Sequence, residues 1–196
     1  MPQARGRARE LAILEVVREL LAEQGYERLT VDAVVAKARA SKATIYTRWP
    51  DKASLVSAAL NARSLDQPRV AVGAKDLRED LVRFVAICVE LAETESLAAF
   101  VGVLVAADKE PALAETVRGT ALAPRRQDCA DIVQRAVGRG ELENAGSAPQ
   151  IFDLTMGKVF VRHVLEHDPM TPVDQVDFVD NVLLPVLEHD RARTRA

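Results

Sequence analysis

Apolar residues recur three and four positions apart from residue 9 to residue 24, which predicts an amphipathic first helix. Gly25 follows at once and is suited to end that helix, because glycine readily adopts the left-handed conformation found after helices. Thr30 is a good N-cap for a second helix with the sequence VDAVVAKA. Asp32 lies in its first turn, where the helix dipole stabilises a negative charge. The pattern therefore predicts two helices separated by a short connection.

Further start and stop signals follow in the stretch ASKATIYTRWPDKASLV. Ser41 can cap a third helix that begins at Lys42, and Pro50 must end it because proline disfavours helix at the preceding residue. Asp51 then caps a fourth helix with the sequence KASLVSAALNARS. Two helices of about seven residues joined by a tight turn are the helix-turn-helix pattern.

The rest of the chain is again helical in pattern, and no alternating strand periodicity occurs in the sequence, so an all-α fold is expected. Residues 67–75 contain proline and glycine without a clear period, which predicts a connection between domains at 1–65 and 74–190. Pro124 falls inside a helical pattern and should kink or split it. Helices are expected at 76–94, 96–107, 111–138, 149–167 and 174–189.

Charge divides the 196-residue chain unevenly. Residues 1–63 hold 11 Lys and Arg against 7 Asp and Glu, whereas the remaining residues hold 15 against 22. A basic N-terminal part followed by an acidic remainder suggests that only residues 1–63 bind a polyanion. The 48% apolar and 28% charged residues are typical of a globular protein and exclude a disordered one.

Composition also limits the compartment and the covalent chemistry. No window approaches ~18 uninterrupted apolar residues, so neither a membrane span nor a membrane partner is expected. The basic N-terminus lacks the apolar core of a signal peptide, and we therefore expect a cytoplasmic protein. Cys88 and Cys129 lie in apolar helical patterns and are expected as buried free thiols rather than as a disulfide. No cofactor is expected.

The third predicted helix has a side that suits the major groove of DNA. With Ile45 facing inward, Trp49 falls nearly on the same face four residues later, and Ala43 and Thr47 lie on the opposite side. Small outward residues let the backbone approach base edges, where Thr47 can contact a thymine methyl or offer its hydroxyl. Lys42 can donate to guanine O6 or N7.

Hydroxyl groups and helix starts around this helix suit phosphate groups. Thr44 and Tyr46 stand on its two flanks and can each reach a phosphate on one wall of the groove. The helix starts at Thr30 and Lys52 offer N–H groups to phosphates, and residues 33–50 include four basic residues and no acid. Each feature alone is also typical of an ordinary solvated surface; their conjunction favours DNA. The predicted DNA-binding residues are Thr30, Ser41, Lys42, Ala43, Thr44, Tyr46, Thr47, Arg48 and Lys52.

Residues 9 to 60 resemble the DNA-binding domain of the tetracycline-repressor (TetR) family of transcriptional regulators. The matching text is EQGYERLTV at the end of the first helix, VDAVVAKA in the second, and SKATIYTRWPDKASLV after it. Arg39 stands where the family usually has glycine, so either a non-glycine residue is left-handed at a cost of ~1 kcal/mol or the turn has another shape. Ala40 replaces a larger apolar residue, which predicts looser packing of the second helix.

The resemblance implies a helix-turn-helix domain of three helices plus a linking helix, followed by an α-helical ligand-binding and dimerisation domain. It implies a transcriptional regulator rather than an enzyme. Such a regulator is in most cases a repressor that binds a palindromic double-stranded DNA operator as a homodimer and is released by a small-molecule effector, here unknown. The implied phosphate contacts are Thr30, Thr44, Tyr46 and Lys52, and the implied base contacts are Lys42, Ala43 and Thr47, with Arg48 at the edge.

A dimer also follows from specificity, because one recognition helix makes too few base contacts. The last two predicted helices carry more apolar surface than one core needs, although a monomeric bundle can bury the same residues. The predicted interface residues are Leu154, Phe160, Val161, Val179, Val182, Leu183 and Val186. By resemblance, the helices from 76 to 138 enclose the effector, and the candidate lining residues, equally consistent with plain core, are Phe84, Cys88, Phe100 and Leu104.

The N-terminal arm and the histidines leave alternatives open. The arm, with three arginines before residue 10, reaches an adjacent minor groove or forms a solvated tail. His163 and His167 at i, i+4 spacing can bind zinc, so a helical metalloprotein is the second hypothesis, although no third ligand is evident. The sequence VLEHD occurs twice and contains His167 and His189. These two histidines are either paired metal ligands or parts of two solvated helix ends. A helical scaffold without DNA binding is the third hypothesis.

Overall fold

The computed structural model describes residues 2–64, 75–94, 97–146 and 148–187, and every regular element in these ranges is helical. The all-α prediction is thereby confirmed. None of the described helices is long and apolar enough to cross a membrane. The α-helices are α1 (Pro2–Arg28), α2 (Val31–Ala38), α3 (Lys42–Arg48), α4 (Lys52–Ser64), α5 (Leu77–Thr94), α6 (Leu97–Ala107), α7 (Pro111–Thr116), α8 (Ala123–Gly138), α9 (Ala148–Phe160) and α10 (Pro172–Phe178).

Segments of π-helix interrupt three of the longer helices expected from the sequence. The segment Val117–Leu122 lies between α7 and α8, directly before Pro124. Proline lacks an N–H and its ring clashes with the carbonyl four residues earlier, so the single helix expected over 111–138 is split, as predicted. Two further π-helical segments, Val161–Leu165 and Val179–Leu183, follow α9 and α10.

The described helices pack as two compact units. The first contains α1–α4, nearly all of α6, α7 and the π-helical segment after α7; the second contains α5, α8, α9 and α10. The first unit thus adds residues 98–122 to the helices of the helix-turn-helix. The domain limits at residues 65 and 74 stay a prediction, because the expected connection between them lies outside the described residues, as do residues 188–190.

One apolar cluster holds the first unit together. The inward face of α1 packs on α4, and α4 packs against α7 and the π-helical segment after it. Ile45 of α3 is fully buried in this cluster and Trp49, just after α3, is 6% exposed, as predicted. Because so short a helix is not stable in isolation, these two residues are what hold α3 in place. Other deeply buried members are Ile13, Val17, Leu29, Val34, Leu55 and Val56.

The turn between α2 and α3 contains Arg39 in a left-handed conformation, with φ 49° and ψ 43°. Its N–H donates to the carbonyl of Ala36, and the N–H of Ala40 donates to the carbonyl of Val35 over 3.1 Å. These two bonds form a Schellman motif, a common way for a helix to end at a left-handed residue. The first alternative for Arg39 is therefore confirmed, and Ala40 packs half-buried against the apolar cluster.

Arg9 of α1 stabilises this turn from behind. Its guanidinium donates to the carbonyl of Ala38 over 3.0 Å and to the carbonyl of Arg39 over 2.6 Å. Carbonyls at the end of a helix lack helical partners and attract positive charge. Because Arg9 is bound to the turn, the solvated tail expected for it is wrong, and its contact with a minor groove stays a prediction. The side chain of Arg5 lies outside the described residues.

The second unit is centred on α5, which packs against α8, α9 and α10. Asp80 of α5 is fully buried and accepts hydrogen bonds from Arg135 at 3.0 Å and Arg139 at 3.3 Å, so two cations compensate its charge. Cys88 and Cys129 are buried free thiols, as predicted. Burial raises the pKa of Cys88 to about 12, which leaves this thiol protonated and inert at neutral pH.

Replacing Arg39 with glycine should stabilise the protein, because glycine adopts the left-handed conformation without the steric cost that other residues incur. We expect Arg39→Gly to raise the free energy of unfolding, measured by urea titration, by about 1 kcal/mol. Arg39→Ala is the matched control, since it removes the same exposed side chain but keeps the strain. Equal unfolding free energies for the two variants would contradict a strained turn.

Removing the Arg9 side chain should destabilise the protein through the turn. We expect Arg9→Ala to lower the free energy of unfolding by about 1 kcal/mol, which corresponds to a fall in melting temperature of about 2–4 °C. Circular dichroism during heating measures this change. Arg7→Ala, an exposed arginine two residues earlier in α1, should leave the melting temperature unchanged. Equal falls in both variants would argue against the Arg9 contacts.

Candidate nucleic-acid interface

The residues of α3 that are predicted to contact DNA form one exposed surface. Ile45 and Trp49 point into the apolar cluster and leave the remaining side chains of 41–48 exposed to solvent. Tyr46 is 48% exposed, which makes its ring and hydroxyl available to a partner. We call this side of the helix the recognition surface; it consists of Ser41, Lys42, Ala43, Thr44, Tyr46, Thr47 and Arg48.

Hydroxyl groups cap the starts of both helices of the helix-turn-helix. Ser41 Oγ accepts a hydrogen bond from the N–H of Thr44 over 3.0 Å and lies 2.8 Å from Thr44 Oγ1. Thr30 Oγ1 accepts a hydrogen bond from the N–H of Ala33 over 3.2 Å. Both N-caps predicted from the sequence are therefore confirmed. The phosphate contacts of Thr30 and Thr44 stay predictions, and they would use hydroxyls that the helix starts already hold in position.

Thr47 uses its hydroxyl proton within its own helix. Its Oγ1 donates to the carbonyl of Ala43, four residues earlier in α3, over 2.7 Å. Because this back-bonding occupies the only hydroxyl proton, Thr47 can offer another molecule its methyl group or an accepting lone pair, but no donor. Of the two contacts considered for Thr47, the geometry favours the one with a thymine methyl.

Both cations of the recognition surface form ion pairs with acids from other helices. Lys42 Nζ lies 2.6 Å from Asp32 of α2, and Arg48 Nη1 lies 2.7 Å from Glu10 of α1. The hydrogen bond that Lys42 donates to the Asp32 carboxylate is the main cause that raises the pKa of Lys42. Residues 33–50 contain no acid, but these two carboxylates from outside that range lie beside the recognition surface and would repel a phosphate backbone.

Lys52, at the start of α4, is bound to the end of α1. Its Nζ donates to the carbonyl of Tyr26 over 2.9 Å and lies 4.2 Å from the centre of the Tyr26 ring. α1 bends one residue earlier at Gly25, with φ 78° and ψ 169°, where the sequence predicted its end. The phosphate contact predicted for Lys52 stays a prediction; with the side chain engaged, the N–H groups at this helix start are the available donors.

Asp51 caps α4, as predicted. Its carboxylate accepts a hydrogen bond from the N–H of Ser54 over 2.7 Å and another from the Ser54 hydroxyl. These hydrogen bonds lower the pKa of Asp51 below its ordinary value. The carboxylate is therefore ionised at neutral pH, and its charge partly offsets that of the neighbouring Lys52.

The four residues predicted for an effector pocket divide between the two units. Phe84 and Cys88 are buried in the core of the second unit, whereas Phe100 packs against the apolar cluster of the first and Leu104 is 40% exposed. A cleft of about 290 Å³ in the second unit is lined by other residues, which lie at 76–78, 141–142, 184 and 187. The pocket therefore stays a prediction.

Sequence reasoning missed a buried ion pair in the second unit. Arg125 and Asp128 of α8 are each 3% exposed, and Arg125 Nη1 lies 3.0 Å from Asp128 Oδ2. The hydroxyl of Thr155 in α9 is also fully buried, and it has no hydrogen-bond partner among the described residues. The available signal was a pair of opposite charges three residues apart inside an apolar helical pattern.

Most residues predicted for a dimer interface keep some exposed surface. Val179 and Leu183 are the exceptions, because both are fully buried in the core of the chain itself. Leu165 and Val173 add apolar surface in the same part of the chain, at 64% and 69% exposed. The predicted interface residues with surface left for a partner are Leu154, Phe160, Val161, Val182 and Val186.

The histidine pair considered for zinc does not have the predicted geometry. His163 lies in the π-helical segment Val161–Leu165, and His167 lies beyond its end in a left-handed conformation with φ 53°. Residues four apart share a face in a continuous α-helix, which this segment is not. Within the described ranges, no group of three or more His, Cys, Asp or Glu side chains could hold a metal ion. His189 lies outside those ranges.

The described geometry is that of a helix-turn-helix protein, with a short capped helix anchored from behind and exposed in front. Comparison with known families agrees. Residues 13–59 match the family described as "Bacterial regulatory proteins, tetR family", and residues 73–182 match "Tetracyclin repressor-like, C-terminal domain". The chain therefore belongs to the TetR family and is a DNA-binding transcriptional regulator, not an enzyme.

Individual relatives agree with this assignment. An uncharacterized HTH-type transcriptional regulator of Mycobacterium bovis is 40% identical over 180 residues, which cover 91% of this chain and 88% of the relative. The DNA-binding transcriptional repressor TetR of Mycobacteroides abscessus is 33% identical over 138 residues, 70% of this chain and 73% of the relative. Among solved structures, Salmonella enterica GusR shares the fold, with a TM-score of 0.71 at 17% identity over 92% of this chain and 96% of that one.

Proposed function

We propose that this regulator is a repressor that binds a palindromic operator as a homodimer and is released by a small-molecule effector. The observation that carries the proposal is the recognition surface, which is exposed while Ile45 and Trp49 fix the same helix to the core. The name of the Mycobacteroides abscessus relative, a DNA-binding transcriptional repressor, supports repression rather than activation.

In the proposed complex α3 lies in the major groove. Ala43 is small enough for the backbone to approach base edges, and the methyl group of Thr47 contacts a thymine methyl. Lys42 leaves its carboxylate partner and donates to a guanine, while the hydroxyl of Tyr46 binds a phosphate. Because each α3 reads only a few base pairs, two copies related by a two-fold axis read the two halves of a palindrome.

The proposed dimer uses the apolar surface of the last helices. Leu154, Val161 and Leu165 are exposed on or just after α9, and Val173 is exposed on α10. Isolated exposed apolar residues are normal, but four large ones within twenty residues of chain favour an interaction surface. Two helices from each subunit would bury this surface in a four-helix interface, and the isologous contact gives the two-fold symmetry that a palindrome requires.

Release by an effector follows as a shift between conformations. A ligand that binds more tightly to a conformation with wrongly spaced recognition helices lowers the affinity for DNA. By reciprocity, bound DNA lowers the affinity for the ligand by the same factor. The Arg125–Asp128 pair and the hydroxyl of Thr155 place polar groups in the otherwise apolar interior of the second unit, and such groups are what a ligand would need for hydrogen bonds.

A gel-shift assay with the DNA upstream of the protein's own gene tests the proposal. Regulators of this kind commonly act on neighbouring genes, so a retarded band at low salt is expected with that fragment or with a nearby intergenic fragment. Competition with unlabelled DNA of scrambled sequence separates specific from non-specific binding. The absence of any shift at low salt with all of these fragments would overturn the proposed function.

Substitutions at two positions of α3, Tyr46 and Thr47, should affect DNA binding differently. Tyr46→Phe removes a hydroxyl that is expected on a phosphate, so affinity should fall about equally for all operator variants. Thr47→Ala removes the methyl group and should change the preferred base, whereas Thr47→Val keeps a methyl and should keep more of the wild-type preference. Fluorescence anisotropy against a panel of operator variants measures both effects. Wild-type affinities in all three variants would show that α3 is not the reading helix.

A charge in the proposed dimer interface should dissociate the dimer. Leu165→Glu would place a carboxylate in an apolar interface without a partner, so we expect the dimer dissociation constant to rise about tenfold or more. Sedimentation velocity over a concentration series measures it. Leu11→Glu makes the same change at a half-exposed leucine of α1 and should leave sedimentation unchanged. If Leu165→Glu also left it unchanged, the interface would lie elsewhere.

A further inference from the structure

We infer that Glu10 and Asp32 limit the affinity of this protein for DNA, because each carboxylate holds one of the two cations of the recognition surface. This inference rests on the proposed DNA contact through α3. Neither acid belongs to the recognition surface itself: Glu10 lies in α1 and Asp32 lies in the first turn of α2. The fold, rather than the local sequence, brings each acid to its cation.

Both pairs are short and open to solvent. The carboxylate of Asp32 lies 2.6 Å from Lys42 Nζ, with the two side chains 68% and 59% exposed. The carboxylate of Glu10 lies 2.7 Å from Arg48 Nη1, with both side chains 41% exposed. DNA can therefore approach these cations, but each cation must exchange its carboxylate for a phosphate or a base edge.

The exchange weakens binding in two ways. Breaking an ion pair offsets part of the energy gained from the new contact, and the displaced carboxylate stays near the phosphate backbone, which repels it. A cation that is already paired also contributes less to the release of counterions from DNA, because it replaces one anionic partner with another. The wild-type protein should therefore bind DNA less tightly, and with a shallower salt dependence, than its count of basic residues indicates.

The expected size of the effect follows from the exposure of the pairs. A single exposed ion pair changes an equilibrium by about two- to fivefold. The proposed homodimer carries each pair twice, so neutralising one acid should tighten DNA binding by about 4- to 25-fold. Glu10 and Asp32 share no partner, so the logarithms of the two effects should add in the double variant.

Glu10→Gln, Asp32→Asn and the double variant test the inference. The probe is a labelled upstream fragment that the wild-type protein binds, and anisotropy titrations are repeated over a series of salt concentrations. We expect tighter binding at low salt and a plot of log affinity against log salt that is steeper by about two for each acid neutralised, because the homodimer then carries two additional unpaired cations. Because Asp32 also stabilises the first turn of α2, melting temperatures are recorded; destabilisation could not by itself produce tighter binding.

A double-mutant cycle links the effect to the pair. Arg48→Gln should reduce DNA affinity more in the Glu10→Gln background than in the wild-type background, because only in the latter does Arg48 first have to leave Glu10. Glu15→Gln is the matched control: it removes the same charge from the same helix, but its ion-pair partner, Arg18, lies outside the recognition surface. This control should change affinity by less than half as much as Glu10→Gln, on a logarithmic scale.

The outcomes separate the inference from the proposed function. Equal or weaker DNA binding by Glu10→Gln and Asp32→Asn would overturn the inference and show that the acids orient the cations for contact. An equal gain in Glu15→Gln would also overturn it, since the effect would then follow net charge alone. If the wild-type protein bound no fragment at all, the proposed function would fall, and the inference with it.

Discussion

The burial of two side chains on the back of α3 is the interaction on which the DNA-binding unit depends. α3 has seven residues, far fewer than a helix needs to persist alone. Ile45 and Trp49 fix it to the apolar cluster of the first unit, and this leaves the front free to carry small and polar residues that add nothing to its stability. Recognition and folding are thus divided between the two sides of one short helix.

The sequence predicted those elements whose cause is local. Thr30, Ser41 and Asp51 cap helices because each side chain accepts a hydrogen bond from the N–H three residues later. Pro124 splits a helix because its ring clashes with the preceding turn. The left-handed Arg39 was one of two open alternatives, and the choice between them needed the backbone. The left-handed conformation is fixed by hydrogen bonds within six residues of chain. The sequence of those residues was nevertheless compatible with more than one turn.

Contacts between distant residues account for most of what the sequence did not predict around α3. Arg9 and the carbonyls of the turn are about thirty positions apart, and Arg48 and Glu10 are 38 apart, so periodicity and capping carry no information about either contact. The composition correctly indicated the positive charge of the recognition surface, but the acids that neutralise it lie in other helices. In the same way, helical spacing identified Val179 and Leu183 as inward apolar residues without showing which surface would cover them.

Gly25 shows that a position can have ample room and still accept no side chain. A Cβ added there would meet nothing within 4 Å, yet φ 78° and ψ 169° lie in a region that is essentially restricted to glycine. The backbone torsion angles, rather than the space around the residue, therefore restrict this position to glycine. The free volume around it would wrongly indicate that a side chain is tolerated. Since the next residue, Tyr26, holds Lys52 at the start of α4, a side chain at position 25 would disturb a helix that it never touches.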